Sequence, residues 1–298
     1  MSVDILQEKI RKTKNPSMLE LSVPVWEIPA HILESGVSKA EAYGVFCREL
    51  LEGLKGMVPA VRFGFGSFAL LGAEGMTELS KCLNAAKALG YYVALDAPEV
   101  LSPAMAEYAA QMILGKDREY ACDGVFLSGY LGSDVIKPFL PYCKEGKKEG
   151  KKDVFVVTRT ANKSAPELQD LLAGSRLVHG VAADHVNRYG ADTAGKFGYT
   201  RVGILAAASS AQSLRELRSK YPKLFMVLDG YDYPNANAKN CSFAFDKFGH
   251  GAVACSGTGI ACAWKQGESD GTDYLDHAKA AAERMRKNLT RYVTDHRG

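Results

Sequence analysis

A (β/α)8 barrel, the TIM-barrel arrangement, in one domain over 1–298 is the fold the sequence predicts. Three observations carry that prediction. Eight short apolar runs recur along the chain, and helical segments separate them at about thirty-residue spacing, the length of a βα unit. The runs are continuous rather than alternating, as suits parallel strands covered on both faces. Most end on polar, charged or Gly-rich residues, the side on which parallel barrels carry their sites. An open doubly wound sheet is the rival, but no GxGxxG follows the first strand. No internal sequence repeat occurs, and no linker rich in Pro, Gly or Ser divides the chain.

Residues 1–16 read as an N-terminal helical extension, and Ser17 to Leu21 as the first strand. A helix starts at Ser38, where Ser38 and Glu41 fit a capping box, with Tyr43, Phe46, Cys47, Leu50, Leu51 and Leu54 on one face and Gly56 beyond its end. Strand two is Ala60 to Phe65, with Arg62 among apolar neighbours, and a helix from Glu74 to Leu89 follows. Strand three lies in YYVALDAPEV: an apolar run at Tyr91–Leu95, then Asp96 and Glu99 on either side of Pro98. Asp96 there is either a site carboxylate or the cap of a turn. A helix over Ala104–Leu114 and strand four at Gly124–Leu127 come next, with Ser128, Gly129 and Tyr130 in the loop. The helix after it ends in the charge run Lys144–Asp153, which reads as a solvated surface.

Strand five, Val154–Thr158, delivers Arg159, Thr160 and Asn162 to the same rim. Helical stretches are expected over Pro166–Leu172 and His179–Phe197, strand six over Val202–Ala206, and a helix carrying Leu214 and Leu217 after it. Strand seven, Leu224–Leu228, runs into Asp229, Gly230, Tyr231 and Asp232; strand eight, Ala252–Cys255, into Ser256, Gly257, Thr258 and Gly259. The last helix covers Tyr274–Tyr292.

Bulk composition narrows the function class. Hydrophobic content of 47% and charged content of 24% are ordinary for a globular domain. A net charge of +3 is too small to predict a nucleic-acid partner. No run of about 18 apolar residues predicts a membrane span, and the first residues lack the apolar core of a signal peptide. The seven cysteines, without framework or zinc-ligand spacing, read as reduced core residues of a cytoplasmic protein. Neither a metal nor a cofactor is expected.

In a barrel the strand ends converge on one mouth, here furnished by Glu20, Arg62, Asp96, Glu99, Ser128, Arg159, Asp229, Asp232 and the Ser256–Gly259 loop. Gly257 and Gly259 allow close backbone approach, and amides after the last two strands often bind phosphate. Arg62 and Arg159 either hold an anion bidentately or pair with Glu20, Asp96 or Glu99. His250 reads as a loop residue, and His179, His185 and His277 sit in helical segments without an obvious partner.

Taken in order, ILQEKIRKTKNPS, YLGSDVIKPFL, VFVVTRTAN, PELQDLLAG, LDGY and GHGAVACSGTGI make the chain resemble the orotidine 5′-phosphate decarboxylase family in its longer bacterial form, over nearly its whole length. The resemblance implies a TIM barrel, a homodimer with sites at the interface and a place in pyrimidine nucleotide synthesis. The functional motif departs from the family pattern. Against the family's Asp-Ala-Lys-Arg-x-Asp-Ile-Gly-Ser-Thr stands DAPEVLSPAM, which keeps Asp96 but puts Pro98 at the proton-donating lysine and Leu101 at the aspartate that reaches across the dimer. Ser22 stands at the ribose-binding aspartate, Arg62 at a lysine, and Thr258 at the phosphate-binding arginine; Gly-Tyr-Gly-Ala-Gln-Gly has become Gly230-Tyr231-Asp232-Tyr233-Pro234-Asn235.

Decarboxylation leaves a carbanion that a nearby ammonium must stabilise and protonate. Proline cannot donate, and an arginine with a pKa above about 12 does not give up its proton. The expectation is a decarboxylase-family barrel that has lost the parent reaction. It would be a pseudoenzyme, partnering an active paralogue, or a repurposed enzyme acting on a nucleotide or sugar phosphate through Arg62, Asp96 and Glu99. The ligand-binding candidates are Glu20, Ser22, Ser128, Arg159, Thr160, Asn162, Asp229, Gly230, Ser256, Gly257, Thr258 and Gly259. A decarboxylase with its lysine supplied from elsewhere is the remaining alternative.

Overall fold

The apolar runs form strands that hydrogen-bond only to their sequence neighbours until the last meets the first. A computed structural model describes residues 2–98, 100–146 and 151–294. Among these, eight parallel strands form a closed barrel: β1 (Ser17–Leu21), β2 (Ala60–Phe63), β3 (Tyr92–Asp96), β4 (Gly124–Ser128), β5 (Asp153–Val157), β6 (Thr200–Ala207), β7 (Leu224–Asp229) and β8 (Ala252–Ser256). Met18 opposite Cys255 closes the ring, and Glu20 lies directly opposite Arg62.

Strand alternation sorts side chains into two layers. Met18, Ala60, Tyr92, Ala94, Phe126, Phe155, Phe225, Val227 and Val253 fill the interior. Their neighbours Leu19, Val61, Val93, Val125, Val154 and Leu228 face the helices in a second, larger core. Glu20, Arg62, Asp96 and Asp229 follow the inward parity one step beyond the last apolar layer, so pleat geometry places them at the mouth.

The helical coat comprises α1 (Val3–Thr13), α2 (Lys39–Gly53), α3 (Gly72–Ala88), α4 (Pro103–Leu114), α5 (Val178–Gly190), α6 (Ala211–Lys220) and α7 (Tyr274–Thr294), with shorter turns between. Ser38 caps α2 by accepting from Glu41 N at 3.1 Å, while its hydroxyl donates to Glu74 Oε1 at 2.6 Å. The extension α1 seals the barrel floor: Val3, Leu6 and Ile10, at i, i+3 and i+7, pack into the interior core, and Gln7 Oε1 accepts from Gly251 N at 3.0 Å. Just above, the buried Asp153 accepts from Tyr92 Oη at 2.7 Å.

Some expected elements change. The segment after β4 is three short turns, Ser133–Val135, Lys137–Phe139 and Leu140–Cys143, because Pro138 and Pro141 interrupt any continuous helix. In the charge run, Lys144 pairs with Asp192 and Glu145 with Arg201, while 147–150 lie outside the described residues. The helix expected over Pro166–Leu172 is a single turn, Ala165–Glu167. It leads into a two-stranded ribbon, Leu172–Ala173 against Arg176–Leu177, turned by Gly174 at φ +68°. The cysteines all fall among the described residues, and each is buried and free of disulfides.

Candidate functional site

Each of β1, β2, β3 and β7 ends by pointing one ionisable side chain into the mouth, and Arg62 is the hub. Its Nε donates to Asp96 Oδ1 at 2.7 Å and its Nη1 to Asp229 Oδ1 at 3.2 Å. Glu20 Oε2 lies 3.7 Å from the same Nη1, an ion-pair contact too long for a hydrogen bond. The guanidinium rests on the Phe126 ring, 4.4 Å from its centroid, so β4 provides an aromatic floor. Ser22 Oγ donates to Glu20 Oε1 at 2.6 Å.

Three carboxylates around one guanidinium leave a formal surplus of negative charge. Burial pushes both Asp96 and Asp229 above the ordinary aspartate value, although the adjacent guanidinium opposes the rise. For Arg62, burial alone would favour the neutral form, but Asp96 and Glu20 more than offset it, and the guanidinium stays protonated. Both arginines took the internal-pairing option rather than standing free for an anion. Arg159 is forked onto Asp170, Nε to Oδ1 at 2.9 Å and Nη2 to Oδ2 at 2.8 Å. Thr160 is tied to Gln169, its amide donating to Oε1 at 2.8 Å, and its hydroxyl bonds Asn162. The rim after β5 is thus bound to its own following loop. Asp170 and Gln169 supply partners that the sequence reading lacked.

A cavity of about 450 Å³ opens above Arg62, walled by Glu20, Ser22, Asp229, Gly230, Asp232, Gly257 and Thr258, while Ser256 and Gly259 lie behind Asp232 and line a neighbouring cavity. Ser128 is exposed at the rim, where its Oγ accepts from Tyr130 N at 3.3 Å, and it does not line this cavity. Glu99 lies outside the described residues. Two cavity residues went unremarked as site residues, Tyr233 and Cys255; the inward parity of Cys255 with Val253 was the signal that could have found the second.

Gly230 has φ +72°, and a Cβ there would lie 2.3 Å from Ala161 Cβ and 2.6 Å from the Tyr233 ring, so only glycine fits this turn. It aims Asp232 at the end of β8, where Oδ1 accepts from Ser256 Oγ at 2.6 Å and Oδ2 from the amides of Gly257 at 2.7 Å and Gly259 at 3.0 Å. Among the histidines, His179 is not partnerless: Nδ1 lies 3.0 Å from Gln169 O and 3.2 Å from Asp170 Oδ1, and Nε2 3.3 Å from Ser213 Oγ. That buried chain staples the loop after β5 to α5 and α6. His185 contacts Arg188 and Tyr189, and His277 pairs with Asp273 one turn earlier.

No family model matches the chain. Two curated orotidine 5′-phosphate decarboxylases are similar to it over nearly its full length. That of Rhodopirellula baltica is 28% identical over 297 residues, covering 95% of this chain and 97% of that protein. That of Petrotoga mobilis is 25% identical over 292 residues, covering 97% and 98%. Solved structures share the fold. The OMP decarboxylase of Leishmania donovani superposes with a TM-score of 0.71 at 24% identity, over 96% of this chain and 99% of that one. The orotidine 5′-monophosphate decarboxylase of Plasmodium berghei gives 0.77 at 13% identity, over 99% of both.

Proposed function

From this kinship with the orotidine 5′-phosphate decarboxylases, we propose that the chain is a decarboxylase-family barrel that has lost the parent reaction and binds a small polar molecule at its mouth. The observation that carries the reading is the state of the one cation lining the cavity among the described residues. Arg62 is held between Asp96 and Asp229, and no lysine lines the same space. A guanidinium so paired gives up no proton near neutral pH. Its charge is already spent on the carboxylates and is not free to stabilise a developing carbanion.

The site retains acceptors. Asp229, which lines the cavity and has its proton affinity raised by burial, suits a hydrogen-bond donor of a ligand and a proton-accepting role in a different reaction; Asp96 stands behind Arg62, outside the cavity lining. The competing reading, a working decarboxylase, rests on the same kinship and on the retained Asp96. The ultraviolet decarboxylation assay with orotidine 5′-phosphate at high enzyme concentration decides between them. No turnover above background is expected; turnover near one per second, or growth of a pyrimidine auxotroph, would establish the competing reading.

Assembly as a homodimer belongs to the same proposal. Leu101, just before α4, and Met105 and Tyr108 in its first two turns are 62%, 42% and 72% exposed, an apolar surface on the strand-end side of the barrel that suits a second copy of the chain. Among the described residues no helix is long and apolar enough to cross a membrane.

A further inference from the structure

We propose that Asp232 sets the ligand specificity of the mouth: it is a built-in anion that fills the donor set at the end of β8 and excludes a ligand's phosphate group from it. The inference rests on the reading of the mouth as a ligand site. Two amides and a hydroxyl converging on one carboxylate are a donor set suited to an anion, because the amides offer fixed positive ends and the hydroxyl turns its hydrogen toward the same charge. Here all three are taken. Ser256 Oγ donates to one carboxylate oxygen and the amides of Gly257 and Gly259 to the other, at 2.6, 2.7 and 3.0 Å.

The surroundings are built around that carboxylate. A Cβ at position 259 would sit 2.1 Å from Asp232 Oδ1, so the close approach requires glycine there. The turn that delivers Asp232 is fixed at both sides, with Tyr231 N donating to Cys255 O at 3.3 Å and Tyr233 N to Gly230 O at 3.0 Å. Glu20 and Asp229 line the same cavity, and its arginine is engaged by Asp96 and Asp229. An incoming phosphate would find the donors occupied and carboxylates facing it. The ligand class that fits is one that donates hydrogen bonds, a neutral polyol or an amine, without a phosphate.

The test compares inorganic phosphate, ribose 5-phosphate and ribose on the wild type, Asp232→Ala and Asp232→Asn, by thermal shift and calorimetry at constant pH and ionic strength. The wild type is expected to show no saturable stabilisation by phosphate, and to bind ribose 5-phosphate no tighter than ribose. Asp232→Ala, with the donors vacated, gains affinity for both phosphate probes by at least about tenfold, the worth of one hydrogen bond to a charged group. Asp232→Asn is isosteric and keeps the donor set filled, so its gain is smaller than that of alanine. The proposal is overturned if the wild type binds ribose 5-phosphate at least tenfold tighter than ribose. It is equally overturned if a folded Asp232→Ala gains nothing. The wild-type comparison stands alone should the alanine variant not fold. Orotidine 5′-phosphate turnover by a wild type that binds ribose 5-phosphate no tighter than ribose would sink the loss-of-reaction reading alone, whereas tight ribose 5-phosphate binding without turnover would sink the phosphate exclusion alone, so the two failures are distinguishable.

Discussion

Arg62 on β2 reaches across the mouth to donate from Nε to Asp96 Oδ1 at 2.7 Å, while Nη1 reaches Asp229 at 3.2 Å, so one side chain ties β2 to β3 and β7. An arginine serving strands that far apart in sequence is a structural tie as well as a site residue. It also explains why two aspartates tolerate burial at a barrel rim.

Removing that tie has a large expected cost. Arg62→Ala leaves three carboxylates facing one another without a cation, which costs about 3 kcal/mol, the lower end for breaking a buried pair because Asp96 and Asp229 are partly open to solvent. Arg62→Lys recovers less than half, since one ammonium cannot reproduce the fork. Urea unfolding measures both; a loss under about 1 kcal/mol for the alanine variant contradicts the tie.

Restoring a lysine at the family position is expected not to restore decarboxylation. Pro98→Lys supplies an ammonium, but on the proposed reading Leu101 takes the place of the second aspartate, and Asp232 still fills the donor set after β8. One missing electrostatic contact typically costs about 10²–10³ in rate, and contacts acting as a unit do not return singly. Turnover in Pro98→Lys rising above background by more than about a hundredfold would show that the lysine alone was limiting.

The barrel floor predicts a pH dependence. Burial pushes Asp153 up to about 8, although Tyr92's hydroxyl and the Val3 amide oppose the rise. A carboxyl with its folded pKa raised gives stability that is full below its unfolded pKa, about 3.9, and lost as pH climbs through the folded value. The wild type should therefore lose stability between about pH 4 and 8. Asp153→Asn, which still accepts from Tyr92, should be flatter over that range, so its melting temperature gains on the wild type as pH rises. Parallel melting curves against pH for the two proteins would assign the dependence to other groups.

A homodimer formed through the α4 surface should be disrupted by charge. Sedimentation at micromolar concentration is expected to show a dimer for the wild type and a monomer for the double variant Leu101→Glu, Tyr108→Glu, with the far-ultraviolet circular dichroism unchanged. A monomeric wild type removes the proposal outright. A double variant that remains dimeric moves the interface to another face.

The barrel was legible in the sequence because its causes are local. Continuous apolar runs such as Val154–Val157 make buried strands wherever they lie, and Ser38 caps its helix through a bond to a residue three positions away. Polar residues at the ends of those runs placed Glu20, Arg62, Asp96 and Asp229 at one mouth, because parallel strands in a barrel all end on the same side. What the tertiary structure decided was pairing. Arg62 and Asp229 are 167 positions apart, Asp232 and Gly257 25 apart, and nothing in spacing says that one carboxylate will seize an arginine and another a set of amides. Ring closure sets those distances, and burial then forces each charge to take the nearest partner. The same pairing folded Arg159 back onto Asp170, eleven positions away. A hydrogen-bond donor set is a property of where backbones meet, and only the closed barrel makes them meet.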